Sequence, residues 1–302
     1  MAQAKNISQL KQAYKYCNHI VKTNYENFPV ASFCLPKYLR NAIATIYAFA
    51  RLADNYADSS QLTPADKLNA LNNLETQLIN IQTDLDQENN KPILLALADT
   101  IHTYELPILP FLDLLTAFKQ DITKNRYYDF GEVLTYCCYS ANPIGRLLLH
   151  LTKQDTIENL EYSDYICTSL QLINFMQDLY LDLTNLDRCY IPQNELNRYH
   201  VSIDALKTKQ ESDNIDALIK YQLDRIYTIY NKGLALGSQL NGLFGFEIRL
   251  IICGGKQILN ALYARKKYHE RPTLTFTNKM QMFMLSFFPN SFTNEDPLTA
   301  EK

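Results

Sequence analysis

The sequence predicts an all-α protein of one domain, and three observations predict it. Apolar residues return at helical spacing (i, i+3, i+4, i+7) through nearly the whole of the 302 residues. Only eight of those residues are Gly, too few for a series of hairpin turns, and Asn-Gly occurs once, at Asn241–Gly242, inside a helical pattern. The breaks between the periodic stretches carry helix start and stop chemistry. With 47% hydrophobic residues the chain can bury a large core, and no internal repeat or low-complexity block divides it.

Helices are predicted over 7–25, 36–58, 63–84, 91–104, 108–124, 129–152, 157–184, 212–240, 243–267 and 276–285. Asn27-Phe28-Pro29 ends the first, and Pro36 opens the second at its first turn, where a missing N–H costs nothing. Thr63-Pro64-Ala65-Asp66 reads as an N-cap followed by Pro. Pro107 and Pro110 punctuate the connector before the fifth helix. Asn142-Pro143-Ile144-Gly145 interrupts the sixth, and a Pro there must kink or break it. Lys207–Asn214 (KTKQESDN) is the clearest loop, too short to link separate domains. Gly254–Gly255 costs a helix about 1 kcal/mol per residue against Ala, and close contact with a neighbouring helix is the reading preferred for it.

Bulk properties exclude several function classes. A net charge of −3 gives no whole-chain attraction for nucleic acid. Seven scattered Cys without C-x-x-C fit reduced thiols in a cytoplasmic setting rather than disulfides or zinc. The five His stand singly, and no phosphate-binding Gly-rich loop or nucleophile elbow is present. MAQAKNISQLKQAY has no apolar core of a signal peptide, and the longest apolar runs are too short to span a bilayer. Peripheral contact with the inner face of a membrane stays open. The absence of Trp beside 21 Tyr and 14 Phe is read as codon bias.

Two stretches carry the chemistry. In Leu170–Pro192, at 100° per residue, Gln171, Asn174, Asp178 and Asp182 fall within about 40° of one line, while nearly every other direction is apolar. In Ala42–Asp58, Tyr47, Arg51, Asp54 and Asp58 share one stripe on an otherwise apolar helix. A surface helix would show a broad wet face instead. Carboxylates drawn out of water unpaired cost several kcal/mol each, so something positive is expected over them. Four carboxylates with no His or Cys at ligand spacing suit a hard cation, Mg²⁺ above all, which binds through a few carboxylates plus phosphate oxygens. Arg51 can neutralise Asp54 or hold a phosphate, and Arg188 has the same two readings. Tyr47, Tyr136 and Tyr190 read from the residues alone as core aromatics.

The chain resembles the squalene/phytoene synthase family, within it most nearly the hydroxysqualene branch of hopanoid biosynthesis. The strings that carry the resemblance run in order: Tyr25–Val30 (YENFPV), Leu35–Pro36, Tyr47–Asp58 (YAFARLADNYAD), Tyr136–Cys137 and Ser140–Leu149 (SANPIGRLLL). Gln171–Asp182 (QLINFMQDLYLD), Arg188–Pro192 (RCYIP) and, more loosely, Phe246–Leu259 follow. The resemblance implies an isoprenoid synthase-type helical bundle around a central cavity. It implies that Asp54, Asp58, Asp178 and Asp182 hold Mg²⁺ against a prenyl diphosphate and that Arg51 contacts that diphosphate. Gln171 and Asn174 would complete the polar strip, Tyr136 would lie by the reacting carbons, and Tyr47, Arg188 and Tyr190 would contact substrate. Asn24, Asn55 and Gln257 depart from residues frequent in the family.

The activity implied is Mg-dependent conversion of presqualene diphosphate to hydroxysqualene, with a companion presqualene diphosphate synthase as a partner. The SANPIGR string and Gln177 favour this branch. Head-to-head condensation of two farnesyl diphosphates to presqualene diphosphate, squalene or dehydrosqualene is the alternative enzyme reading. A non-catalytic assembly factor of the same fold and a plain acidic ion-binding scaffold are the alternatives of other classes.

Overall fold

The computed structural model describes residues 2–24, 35–81 and 92–292, so the predicted Asn27-Phe28-Pro29 stop and the YENFPV string lie outside the described residues. Within them the protein is all-α, and the one extended pairing is an isolated parallel bridge between Arg126 and Cys189. The fifteen α-helices described form two compact units, Met1–Thr123 with Arg146–Asp155, and Lys124–Gly145 with Thr156–Lys302.

The first unit is built around α2 (Lys37–Asp58), which packs against α1 (Ala2–Thr23), α3 (Pro64–Asn80), α4 (Pro92–Tyr104) and α5 (Leu109–Thr123). Four neighbours account for its composition: Ala42, Ala44, Ala48, Ala53 and Ala57 are buried and let helices approach closely, while Phe49 meets Phe111 edge to face at 5.5 Å. α3 starts as its sequence predicts. The Thr63 side chain accepts from the Asp66 N–H at 3.2 Å, and Pro64 takes the first helical position.

In the second unit α8 (Ile157–Gln177) packs against α6 (Phe130–Ser140), α12 (Asp213–Gly233) and α14 (Gly242–Ala264). Small residues set the spacing. A Cβ on Gly233 would lie 2.8 Å from the Tyr162 carbonyl of α8, and one on Gly255 would meet Leu170 at 2.5 Å. The helix-contact reading of Gly254–Gly255 therefore holds at Gly255. A buried network ties α12 to α10 (Gln193–Arg198): Arg225 donates to both Glu195 oxygens at 2.5 and 3.0 Å, and Gln222 donates to Glu195 at 2.7 Å.

Three predicted helices are interrupted. The stretch 129–152 is two helices, α6 and α7 (Asn142–Leu151), with Pro143 in the first turn of α7, where no donor is needed. The stretch 157–184 stops at Gln177 and is followed by the single turn α9 (Leu179–Leu181) and a wider π-type turn over Asp182–Leu186. The stretch 212–240 ends at Gly233, with α13 (Leu236–Gln239) as a separate turn. α11 (Ile203–Lys207) and α10 fill a region left unassigned by periodicity, and α15 (Phe276–Leu285) closes the order.

Candidate active site

On α2, Tyr47, Arg51 and Asp54 are half-buried and Asp58 is exposed, along the one line of the helix not covered by its neighbours. Arg51 Nη1 donates to Asp54 Oδ2 at 2.7 Å, while its Nε is buried without a hydrogen-bond partner. The guanidinium thus neutralises one carboxylate and keeps a buried donor unused. Side-chain exposures of 39% and 30% make this an ion pair worth no more than about 1 kcal/mol, readily exchanged for a ligand anion.

On α8, Gln171 and Asn174 are half-buried on one line, and Asp178 follows as the C-cap with φ −102° and ψ 8°. The Asp182 N–H returns to the Asp178 carbonyl at 2.8 Å, so the i, i+4 relation survives the interruption. The Arg188 N–H closes the wide turn onto the Asp182 carbonyl at 3.0 Å. Asp187 between them is left-handed (φ 53°), a conformation Asp tolerates better than most residues. Lys207 at 2.5 Å and Arg126 at 2.8 Å hold the Asp187 carboxyl below its usual pKa.

The expected positive charge arrives from outside any predicted helix. Arg271 donates from Nε and Nη2 to the two oxygens of Asp178, the second bond 3.2 Å long. The same strand of chain is anchored on both sides of that pair. Gln177 donates to the Pro272 carbonyl at 2.6 Å, and Arg265 donates to the Met176 carbonyl at 2.9 Å. Burial lowers the Arg265 pKa to about 10, with Glu270 opposing the shift. Arg271 and Arg265 were not picked out by sequence pattern; the only signal for them is the acidic pair's own need for a partner.

Tyr136 and Tyr190 meet in an aromatic cluster with Tyr127 and Phe175. Phe175 and Tyr190 stack at 3.5 Å, and Tyr136 lies 5.6 Å from Tyr190. Phe175 is the neighbour of Asn174, so the cluster adjoins the polar line of α8. A cavity of about 780 Å³ opens between α6, α8 and α12, on the α8 face carrying Glu161, Tyr165 and Thr168 and not on the acidic line.

Among the described residues no group of three or more His, Cys, Asp or Glu gathers as a metal site. The donor set therefore does not make a cage. Paired carboxylates without nitrogen or sulfur suit Mg²⁺ in its usual protein mode, in which one or two carboxylates and substrate phosphates complete the shell. The residues present fit a cation that comes with its phosphate.

The squalene/phytoene synthase family matches the chain over residues 21–278. A hydroxysqualene synthase of Sinorhizobium fredii (strain NBRC 101917 / NGR234) is 34% identical over 251 residues, 83% of this chain and 84% of its own. One of Rhodopseudomonas palustris (strain ATCC BAA-98 / CGA009) is 32% identical over 247 residues, 82% of each. The crystal structure of squalene synthase HpnC from Alicyclobacillus acidocaldarius aligns with a TM-score of 0.78 at 31% identity, covering 85% of this chain and 95% of that one. Helical fold, motif order and relatives agree, and the chain belongs to the squalene/phytoene synthase family of enzymes.

Proposed function

We propose that this protein is a single catalytic domain that converts presqualene diphosphate to hydroxysqualene with release of pyrophosphate, in squalene and hopanoid biosynthesis. One observation carries the reading: each of two mostly buried helices keeps one polar line, and on each an arginine sits against an aspartate, Arg51 on Asp54 and Arg271 on Asp178. The names of the relatives support the choice of reaction.

In this reading each acidic pair acts on substrate diphosphate. The C–O bond to the diphosphate breaks heterolytically, both electrons leaving with pyrophosphate. Arg51 and Arg271 turn from their carboxylates to the departing anion, where planar guanidinium groups make paired hydrogen bonds. Gln171 and Asn174 orient the diphosphate from the same line as Asp178. Asp54 and Asp58, and likewise Asp178 and Asp182, would hold Mg²⁺, which would supply Lewis-acid charge to the leaving group. The cyclopropylcarbinyl cation left behind lies near Tyr136 and Tyr190, whose ring faces attract it by about 0.5–2 kcal/mol each. Tyr47, on the polar line of α2, and Arg188, just past the wide turn at Asp182, contact substrate. One water then adds to the rearranged carbon and loses a proton, giving the alcohol. A companion enzyme supplies presqualene diphosphate.

The test is a product assay on purified protein with Mg²⁺ and without NADPH, given presqualene diphosphate or farnesyl diphosphate in separate reactions. Hydroxysqualene from presqualene diphosphate alone is expected. Presqualene diphosphate or dehydrosqualene formed from farnesyl diphosphate, or squalene that requires NADPH, would overturn the reaction in favour of head-to-head condensation.

A further inference from the structure

Buried hydrogen-bonding groups in folded proteins find partners, and one without a protein partner marks a place for water. Arg225 of α12 carries such a group. Its Nη1 and Nη2 donate to Glu195, and Nη2 also donates to Gln222 at 2.6 Å, while its Nε is buried without a hydrogen-bond partner. Gln222, 5% exposed, gives one amide N–H to Glu195 and one lone pair of its amide oxygen to Arg225, which leaves one of each for a further partner. Both residues line a void of about 10 Å³, about the least that takes one water. Phe175 and Tyr190, the stacked pair of the aromatic cluster, form another wall of it, and Val133 and other aliphatic side chains form much of the rest.

Two features separate this void from a packing defect. A dry defect is lined by apolar groups, whereas Gln222 and Arg225 give this one a polar wall. It also has a way in. Phe130 and Arg225 line both the void and the cavity of about 780 Å³ between α6, α8 and α12, and the guanidinium lies 3.5 Å over the Phe130 ring, so this pair is the partition between the two. Glu195 cancels the charge of Arg225, so a cation forming beside Tyr190 meets no bare positive group there. In the reaction proposed above, on which this step rests, that cation lies near Tyr136 and Tyr190 and takes up one water. We propose that Gln222 and Arg225 hold this water in the void behind Phe175 and Tyr190, and that the outer cavity replaces it from solvent past Phe130. A lone pair of the water oxygen makes the new C–O bond to the rearranged carbon, and the oxonium so formed gives its proton to water in the outer cavity.

The test measures the fate of the cation apart from its formation. Purified full chain and two variants are given presqualene diphosphate with Mg²⁺, and hydroxysqualene is counted against pyrophosphate released. Gln222→Leu takes away the polar wall. Val133→Ile fills the void with a methyl group, leaves the Glu195 network intact, and decides the matter if the first variant does not fold. The ratio is expected at about one in the wild type and about fivefold or more lower in both variants, the missing alcohol appearing as the hydrocarbon that proton loss gives in place of water addition. A merely structural defect lowers alcohol and pyrophosphate together and leaves their ratio alone. A crystal structure of the wild type should show one ordered water bonded to Arg225 Nε and Gln222, and that of Val133→Ile none. A ratio kept at the wild-type value in both variants overturns the proposal, as does a wild-type void without water. Absence of pyrophosphate release from the wild type would instead overturn the reaction itself, and this step with it.

Discussion

Changing Asp178 to Asn removes a charge and keeps the shape, which separates what the carboxylate does for the fold from what it does for a ligand. Asp178 and Arg271 are 27% and 37% exposed, so losing their pair should cost no more than about 1 kcal/mol of stability. In the proposed reaction, where this charge would hold the cation of the departing anion, turnover should fall about 100-fold or more; thermal melting and a steady-state assay on the same preparation check both halves. The thiols behave chiefly by burial. Cys17 and Cys189 are raised to about 11 by desolvation and Cys138 is exposed, so alkylation at pH 8 followed by peptide mapping should label Cys138 well ahead of both. Because those two folded-state values lie above the ordinary thiol value of 9, their contribution to stability is whole below pH 9. It falls as the unfolded chain alone gives up protons, and the melting temperature should be lower at pH 10 than at pH 8. At this scale the polar lines on α2 and α8 were readable, since periodicity fixes which residues share a face. Arg271 was not, because it reaches Asp178 across 93 positions of sequence.

Helix boundaries were legible where the stop is covalent and illegible where it is tertiary. Pro64 and Pro143 announce their turns through a missing N–H, and both sit in the first turn of a helix. Nothing in QDLYLD announces the break at Asp178, which contains neither Gly nor Pro. The returning chain supplies a reason: Arg265 takes the Met176 carbonyl, a backbone acceptor that a continued α8 would use, while the Gln177 side chain holds that chain in place through the Pro272 carbonyl. The close crossing of α8 and α12 makes a separate prediction. Gly233→Ala places a methyl 2.8 Å from backbone at Tyr162, which cannot rotate away, and should destabilise by about 1–3 kcal/mol. Calorimetric melting should then fall by several degrees, at about 2–4 °C per kcal/mol for a chain of this size class.

For the whole molecule, the all-α class and the family were readable from sequence, while the partition into two compact units was not, since no linker composition marks it. If the acidic pairs bind diphosphate as proposed, pyrophosphate with Mg²⁺ should raise the melting temperature, by about 2.7 kcal/mol of added stability at 100 times Kd. Asp54→Asn and Asp178→Asn should each reduce that shift; a shift left unchanged by either would remove that pair from diphosphate binding. The chain that carries Arg271 sets a further condition on that binding. Arg265 on the Met176 carbonyl and the Gln177 side chain on the Pro272 carbonyl fasten it on both sides of the guanidinium that meets Asp178. An anion that draws Arg271 off its carboxylate works against those two fastenings, and by reciprocity loosening either changes how easily the arginine lets go.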